Sequence, residues 1–178
     1  MIRLFVALEL PPAIRDGLLA AMGGVAGARW QHDAQLHLTL RFIGEVDRHL
    51  AQDIAAALAS VNIQPFSLSL TTPGTFDRKG RIDNLWVGVT PQQDVAMLAR
   101  RIDQALVRVG VPPLGRAFVP HVTVARFGRT VGDLSGFPLR PLPIAPFMVN
   151  GFALFESRVS HHGSEYNILA HYRAGAGG

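Results

Sequence analysis

The sequence of 178 residues predicts an α+β fold of two similar lobes, on two observations. The first is a repeated order of elements, because a strand, a helix and a strand near the start of the chain return in the same order between residues 85 and 127. The second is a repeated octapeptide, HLTLRFIG at His37–Gly44 and HVTVARFG at His121–Gly128. It forms the third element of both copies. We therefore expect one domain, residues 1–178, with two halves related by a pseudo-twofold axis.

The first copy shows the periodicities of a strand, a helix and a second strand. Apolar residues alternate through Ile2–Glu9, which is typical of a strand. Pro11-Pro12 then opens a helix with an apolar stripe, and Gly23-Gly24 ends it. Alternation returns at Leu36–Ile43 and predicts the strand that carries the first octapeptide.

The segment between the copies predicts a helix and one further strand. Asp47 is a suitable N-cap for a helix over about Arg48–Val61. Alternating apolar residues at Phe66–Leu70 predict a strand that ends before Pro73-Gly74. The polar stretch Asp77–Asp83 has a central glycine and is typical of a hairpin or a mobile loop.

The second copy and the C-terminal part follow the same principles. Pro91 starts a long helix whose apolar residues keep helical spacing as far as Gly110. Gly and Pro are frequent from Gly128 to Pro146, which predicts a loop. The predicted elements are a strand at Leu85–Val89, a helix at Gln92–Val109, strands at Val119–Phe127, Phe147–Phe155 and Glu165–Tyr172, and a frayed end at Ala174–Gly178.

Composition excludes several classes of function. The chain has no cysteine, which rules out disulfides, thiolate metal sites and a cysteine nucleophile. It has neither a long apolar run nor the pattern of a signal peptide, so we expect a cytoplasmic protein. The net charge is +4, and sixteen of its seventeen basic residues are arginine. The charge favours an anionic partner only weakly, because base composition of the genome also explains the excess of arginine.

The octapeptide places one imidazole and one hydroxyl side by side. Residues i and i+2 of a strand share a face, so His37 and Thr39 project together, and so do His121 and Thr123. Strict alternation would put Arg41 on the face of His37, where it could reach phosphate or lie in solvent. The apolar positions of the first motif, Leu36, Leu38, Leu40 and Phe42, would then point into the core.

Two imidazoles on opposite walls of a cleft suit the opening of a cyclic phosphate. The reaction needs a base that takes a proton from water and an acid that protonates the departing ribose oxygen, and histidine serves either role near neutral pH. In-line displacement requires the acid and the base on opposite sides of phosphorus. Threonine hydroxyls can hold the remaining phosphate oxygens, and an arginine can offset developing charge. No metal and no cofactor are implied.

Several stretches of the sequence resemble a known family. The paired His-x-Thr motifs, with RLFVALELP at Arg3–Pro11, LWVGV at Leu85–Val89 and LFESRVS at Leu154–Ser160, resemble the 2H phosphoesterase superfamily and its RNA 2′,3′-cyclic phosphodiesterase branch, also called 2′-5′ RNA ligases. The resemblance implies antiparallel sheets that face a central cleft, with helices outside. It also implies hydrolysis of RNA 2′,3′-cyclic phosphate ends to 2′-phosphates, and possible 2′-5′ ligation by the reverse attack.

The same resemblance assigns roles to residues. His37 and His121 become the catalytic pair, with His121 activating water and His37 protonating the leaving oxygen, while Thr39, Thr123 and Arg126 bind substrate. Strict alternation from His121 turns Arg126 away from the cleft, so a bulge or a strand end near Ala125 is required. The partner is an RNA or oligonucleotide end, no membrane is involved, and we expect a monomer.

Several alternatives stay open at this stage. The pair His161-His162 invites a metal site, but a surface turn is favoured because no further ligand has a suitable spacing. Phe5 and Trp30 could each stack on a base or pack in the core. Two rival functions share the motifs: a 2H enzyme that acts on another cyclic phosphate or small ester, and an RNA-end-binding module without turnover. A binding module has no need of two proton-transfer groups.

Overall fold

A computed structural model of the chain describes residues 1–161 and 163–175. In this part of the chain the repeated strand, helix and strand are confirmed, and further strands surround them. The strands are β1 (Ile2–Glu9), β2 (Ala28–Trp30), β3 (His37–Val46), β4 (Phe66–Arg78), β5 (Arg81–Thr90), β6 (His121–Phe127), β7 (Phe147–Val149), β8 (Gly151–Ser160) and β9 (Gly163–Arg173); the helices are α1 (Pro12–Ala21), α2 (Arg48–Ala59) and α3 (Gln92–Arg108).

Two antiparallel sheets meet at the two motif strands. One sheet has the order β7-β4-β5-β6, and the other has the order β3-β1-β8-β9. They are joined by a single antiparallel residue pair, Leu38 with Val122, at the centres of the two motifs. The short strand β2, which the sequence analysis missed, pairs with the opposite edge of β6. The expected bilobal α+β fold is therefore confirmed, with both motifs at the junction of the lobes.

Each lobe contains strands from both halves of the chain. The C-terminal strands β8 and β9 complete the sheet of β1 and β3, while β4 and β5 complete the sheet of β6. The chain changes lobe at Asn150, where β7 ends beside β4 and β8 begins beside β1. The prediction of one continuous strand over Phe147–Phe155 is wrong, because the two parts of this segment pair with different sheets.

One hydrophobic core lies behind both sheets. Four residues of the predicted stripe of α3 pack into it and are at most 4 % exposed: Val95, Leu98, Ile102 and Leu106. The Asp47 side chain accepts a hydrogen bond of 2.8 Å from the Leu50 amide and caps α2, as predicted. Among the helices of residues 1–161 and 163–175, we find none that combines the length and the apolarity needed to cross a membrane.

The hairpin of β4 and β5 is longer than predicted. The polar stretch over Asp77–Asp83 is a tight turn at Lys79 and Gly80, both with positive φ, and the flanking strands extend almost to it. Positive φ at both central residues matches the right-handed twist of a hairpin, and glycine adopts it without steric cost. β4 also runs through Pro73-Gly74, where a register shift after Leu70 interrupts the ladder and accommodates proline.

A bulge in β3 overturns two of the predicted side-chain directions. Thr39 pairs with Ala7, but Arg41 pairs with Val6, so Leu40 is an extra residue in the ladder. The extra residue shifts the alternation, so Arg41 turns inward and is only 6 % exposed. Phe42 turns to the face of His37 and is 42 % exposed. The predictions that Arg41 shares the face of His37 and that Phe42 points into the core are both wrong.

Candidate active site at the junction of the two sheets

The four motif side chains lie together on one face of the joined sheets. Leu38 and Val122 are fully buried on the core side, so the residues flanking each of them project from the opposite face. Antiparallel pairing through Leu38 and Val122 places His37 across from Thr123, and Thr39 across from His121. The two imidazoles therefore occupy diagonal corners of a four-residue group, with the hydroxyls at the other two corners.

A second bulge brings Arg126 to this face. Trp86 pairs with Thr123 and Leu85 pairs with Ala125, so Val124 is the extra residue of β6. Val124 and Ala125 are both fully buried, and Arg126 is exposed on the side of His121. The bulge that the sequence analysis required near Ala125 is therefore confirmed. It lies at the position equivalent to the bulge in β3, so Arg126 and Phe42 are equivalent residues of the two motifs.

His37 lies in a box of aromatic rings. Its ring centroid is 5.0 Å from Phe5, 5.2 Å from Tyr166 in an edge-on contact, and 6.1 Å from Phe155. Its Nε2 is 3.1 Å from the Thr39 hydroxyl. Phe5 is only 3 % exposed and stacks on Phe155, so it packs beneath the imidazole and has no face left for a base.

This environment lowers the pKa of His37 to about 4. Burial is the main cause, because the aromatic box removes water that would stabilise the imidazolium. A hydrogen bond with the Gln35 backbone raises the pKa, while the charges of Arg126 and His121 lower it further. The two histidines and Arg126 therefore lie within range of one another's charge, and His37 is neutral at pH 7 in the free protein.

His121 is held by its backbone and by a second pair of aromatic rings. Nδ1 donates a hydrogen bond of 2.6 Å to the carbonyl oxygen of Val119, which leaves Nε2 for a ligand. The rings of Phe76 and Trp86 lie 4.8 Å and 5.8 Å away. Burial lowers the pKa of His121, the Val119 carbonyl raises it, and the charges of Arg116 and Arg126 lower it.

Trp86 reaches this position because β4 has a glycine opposite it. A Cβ at Gly74 would lie 2.3 Å from the indole ring, so no other residue leaves room for it. Beside the indole, the Asn84 amide is 3.4 Å from the Thr123 hydroxyl. Trp86 Nε1 and Asn84 Oδ1 are buried without a hydrogen-bond partner in the described part of the chain. Both polar groups therefore border the site on the His121 side.

Arg41 belongs to the framework behind the site. Its Nε donates to Asp103 Oδ1 at 2.6 Å, and its other nitrogens donate to the carbonyl oxygens of Phe42 and Pro112. These contacts join β3 to α3 and to the loop that leads into β6. Trp30, whose role the sequence analysis left open, lies in β2, pairs with Ala125 and packs 5.6 Å from Phe137.

No metal site is found among residues 1–161 and 163–175, where no three His, Cys, Asp or Glu side chains come together closely enough to hold an ion. His161 lies in the turn between β8 and β9. Its neighbour His162 lies outside the described residues, as do residues 176–178.

The aromatic walls around both histidines were not predicted from the sequence. Trp86 alternates with Leu85 and Val87, so the period of two already places it on the non-core face, and this signal could have identified it. Tyr166 and Phe155 are far from the motifs in sequence, and only the pairing of β8 with β1 brings them to His37. No local pattern indicates that pairing.

The chain is similar in sequence to known phosphoesterases. The family model described as "LigT like Phosphoesterase" matches twice, over residues 8–86 and 87–166. The RNA 2′,3′-cyclic phosphodiesterase of Archaeoglobus fulgidus is 32% identical over 130 residues, which cover 71% of this chain and 73% of that protein. The RNA 2′,3′-cyclic phosphodiesterase of Thermus thermophilus is 29% identical over 186 residues, covering 94% of this chain and 87% of that protein.

Solved structures have the same architecture. A crystal structure described as a phosphoesterase superposes with a TM-score of 0.80 at 26% identity and covers 97% of this chain and 98% of its own. Escherichia coli LigT in complex with 3′-AMP also superposes with a TM-score of 0.80, at 24% identity, with 98% of both chains covered. The likeness to the second structure is evidence of the fold alone.

Proposed function

The chain belongs to the LigT-like phosphoesterase family, and we propose that it hydrolyses RNA 2′,3′-cyclic phosphate ends to 2′-phosphates. The curated relatives named RNA 2′,3′-cyclic phosphodiesterase support the substrate class. The observation that carries the chemistry is the diagonal placement of His37 and His121, with Thr39 and Thr123 at the other corners. This arrangement offers a proton acceptor and a proton donor on opposite sides of one phosphate.

The hydrolysis follows from these positions. His121 Nε2 accepts a proton from the attacking water, because Nδ1 already donates to Val119. The water oxygen bonds to phosphorus as the bond from phosphorus to the ribose 3′ oxygen breaks, and His37 delivers a proton to that oxygen. The phosphate stays on the 2′ oxygen. Proton transfers of this kind contribute about 10²–10⁴-fold each, so positioning and charge stabilisation supply the rest of the acceleration.

The low pKa of His37 adds a requirement to this mechanism. At neutral pH the ring is a neutral imidazole in the free protein, so it lacks the second proton that the acid must donate. An anionic phosphate beside the ring stabilises the imidazolium, so we infer that His37 takes up its proton when the substrate binds. The hydroxyls of Thr39 and Thr123 and the guanidinium of Arg126 hold the non-bridging oxygens in this mechanism. A 5′-hydroxyl in place of water would form a 2′-5′ linkage.

The proposal is tested by replacing the two histidines in turn. His37→Ala and His121→Ala are each expected to lower kcat at least about 100-fold on a 2′,3′-cyclic phosphate oligonucleotide, because either change removes a proton-transfer group. EDTA is present throughout, since the mechanism uses no metal. His49→Ala is the matched control, because His49 is exposed on α2 and should leave kcat unchanged.

Three outcomes would contradict the proposal. Either histidine variant could retain more than about a tenth of the wild-type kcat, which is incompatible with an acid or base role. Activity could require zinc or manganese after EDTA treatment. The wild-type protein could bind the cyclic end without opening it, as an RNA-end-binding module would. A monomeric state and a cytoplasmic location stay predictions of the sequence.

A further inference from the structure

A cavity of about 280 Å³ lies at the end of the sheet beside His37, and no step of the proposed reaction uses it. The side chains of Glu9, His171 and Arg173 line it, together with the chain crossing at Asn150 and Gly151. Glu9 is the cross-strand partner of His37, so the cavity lies next to the aromatic box around His37. Its charged groups come from β1 and β9, which are far apart in sequence.

Two buried alanines lie in the sheet between the reacting groups and this cavity. Ala7 pairs with Thr39 on one side and with Ala153 on the other, and Ala153 pairs with His171. In the next row, Gly151 pairs with Arg173. The step from β3 to β9 covers three strand spacings, about 14 Å. Ala7 and Ala153 are fully buried with Phe5 and Phe155, so the link between His37 and the charged cavity is Glu9, which pairs with His37 and lines the cavity.

The groups in the cavity define the chemistry of a ligand. Arg173 offers a guanidinium, which suits a phosphate group. His171 Nδ1 is 3.1 Å from Glu9 Oε2, which orients the ring and leaves Nε2 to contact a ligand. The Glu9 carboxylate accepts hydrogen bonds but repels phosphate, so it suits a hydroxyl donor. A ribose with its phosphodiester carries both kinds of group.

We propose that this cavity binds the ribonucleotide immediately before the cyclic-phosphate end. Arg173 and His171 bind the phosphodiester between the last two nucleotides, and Glu9 accepts a hydrogen bond from the upstream 2′-hydroxyl. The proposal rests on the proposed function and adds a preference for RNA of two or more nucleotides. A single ribose with its cyclic phosphate is too short to reach both the histidines and Arg173.

The test compares uridine 2′,3′-cyclic phosphate with the dinucleotide UpU that ends in the same cyclic phosphate. We expect the wild-type protein to prefer the dinucleotide in kcat/KM. Arg173→Gln and His171→Gln should each lower the ratio of the two kcat/KM values at least about tenfold, the effect of losing a hydrogen bond to a charged group. Arg108→Gln is the matched control, since Arg108 is exposed at the end of α3 and should leave the ratio unchanged.

A 2′-deoxy upstream nucleotide tests the contact with Glu9. The wild-type protein should prefer the all-ribose dinucleotide, and Glu9→Gln should reduce this preference. Unchanged ratios in the Arg173 and His171 variants overturn the proposal, and so does an equal loss on both substrates. If the wild-type protein hydrolyses neither substrate, the proposed function fails. The inference about the cavity is then tested by the affinities for UpU 2′-phosphate and uridine 2′-phosphate. Arg173→Gln must weaken the binding of the dinucleotide and leave the binding of the mononucleotide unchanged.

Discussion

The two motif histidines share surroundings that lower their pKa values. Both rings lie between aromatic side chains, both are shielded from water, and both feel the charge of Arg126. The low pKa values matter for catalysis, because the reaction needs one neutral and one protonated imidazole at the same moment. The free protein therefore favours the neutral form of both imidazoles. The negative charge of the bound substrate raises the pKa of the acid, which can then be protonated.

The pH dependence of the rate follows from these pKa directions. We expect kcat/KM, which reports the free protein, to be highest below the ordinary histidine pKa of about 6.5 and to fall as pH rises through neutrality. The bound phosphate raises the pKa of the acid, so kcat should fall at a higher pH than kcat/KM. The apparent pKa values belong to the coupled pair.

Initial rates on a cyclic-phosphate dinucleotide, measured at constant ionic strength, give both profiles. A kcat/KM that climbs steadily through pH 9 would rule out the two-histidine mechanism. It would point to a metal-bound hydroxide or to another base.

Burial of His37 also links stability to pH. Its pKa is about 4 in the folded protein and about 6.5 in the unfolded chain, so the native state binds fewer protons. The stabilisation is complete above pH 6.5 and is lost as pH falls towards 4. We expect this histidine to account for roughly 2–3 kcal/mol of the loss over that range. His37→Gln should flatten the dependence when urea unfolding is measured at pH 7.5, 6 and 5, and an unchanged slope would contradict it.

At the scale of elements, the two bulges give the site its composition. The extra residue is the fourth of each motif, Leu40 or Val124, so each motif presents its histidine, its threonine and its sixth residue on one face. The sixth residue is Arg126 in one motif and Phe42 in the other. The fifth residue turns inward, as Ala125 in one motif and as Arg41 in the other. The buried arginine therefore needs partners, which Asp103 and two carbonyl oxygens supply.

Replacement of Arg41 is expected to destabilise the fold more than it alters chemistry. Arg41→Met removes the guanidinium from the carbonyl oxygens of Phe42 and Pro112 and leaves Asp103 with only the Leu114 amide as a donor, and should cost about 2–4 kcal/mol of unfolding free energy. Arg41→Lys should recover only part of this, because an ammonium group cannot replace the planar fork. Urea unfolding measures both variants, with exposed Arg48→Met as the control. A loss below about 0.5 kcal/mol for Arg41→Met would contradict the assigned role.

At the scale of the whole molecule, the two sequence repeats and the two lobes do not coincide. The repeats match residues 8–86 and 87–166, but strands from both repeats form each sheet. The chain crosses between the lobes at Asn150, and one core lies behind both sheets. Neither repeat contains a complete sheet, so we expect neither to be stable alone.

This interleaving predicts a single cooperative unfolding transition. Trp30 and Trp86 lie in β2 and β5, beside β6, so tryptophan fluorescence reports on the lobe of His121, whereas far-UV circular dichroism reports on both lobes. The two signals should change at the same urea concentration. Separate transitions, or a folded fragment of residues 1–86, would show instead that the halves are independent units.

The sequence by itself determined the elements and the catalytic candidates. Hydrophobic periodicity is local, so β1, α1, β6 and α3 were predicted close to their observed bounds. Duplication of the motif identified His37 and His121 as candidates without any structure. The same motif at the same place in a repeated strand, helix and strand is a strong signal. The need for a bulge or a strand end near Ala125 followed from alternation together with the role that the family resemblance gives Arg126.

Only the tertiary structure decided which side chains surround the histidines. The pairing of β1 with β8 and of β5 with β6 brings Phe155, Tyr166 and Trp86 to the rings, and these pairs are distant in sequence. The bulge in β3 reversed the predicted directions of Arg41 and Phe42, because a one-residue insertion moves every later side chain to the other face. Strand pairing and register depend on the whole core, and local patterns do not contain that information.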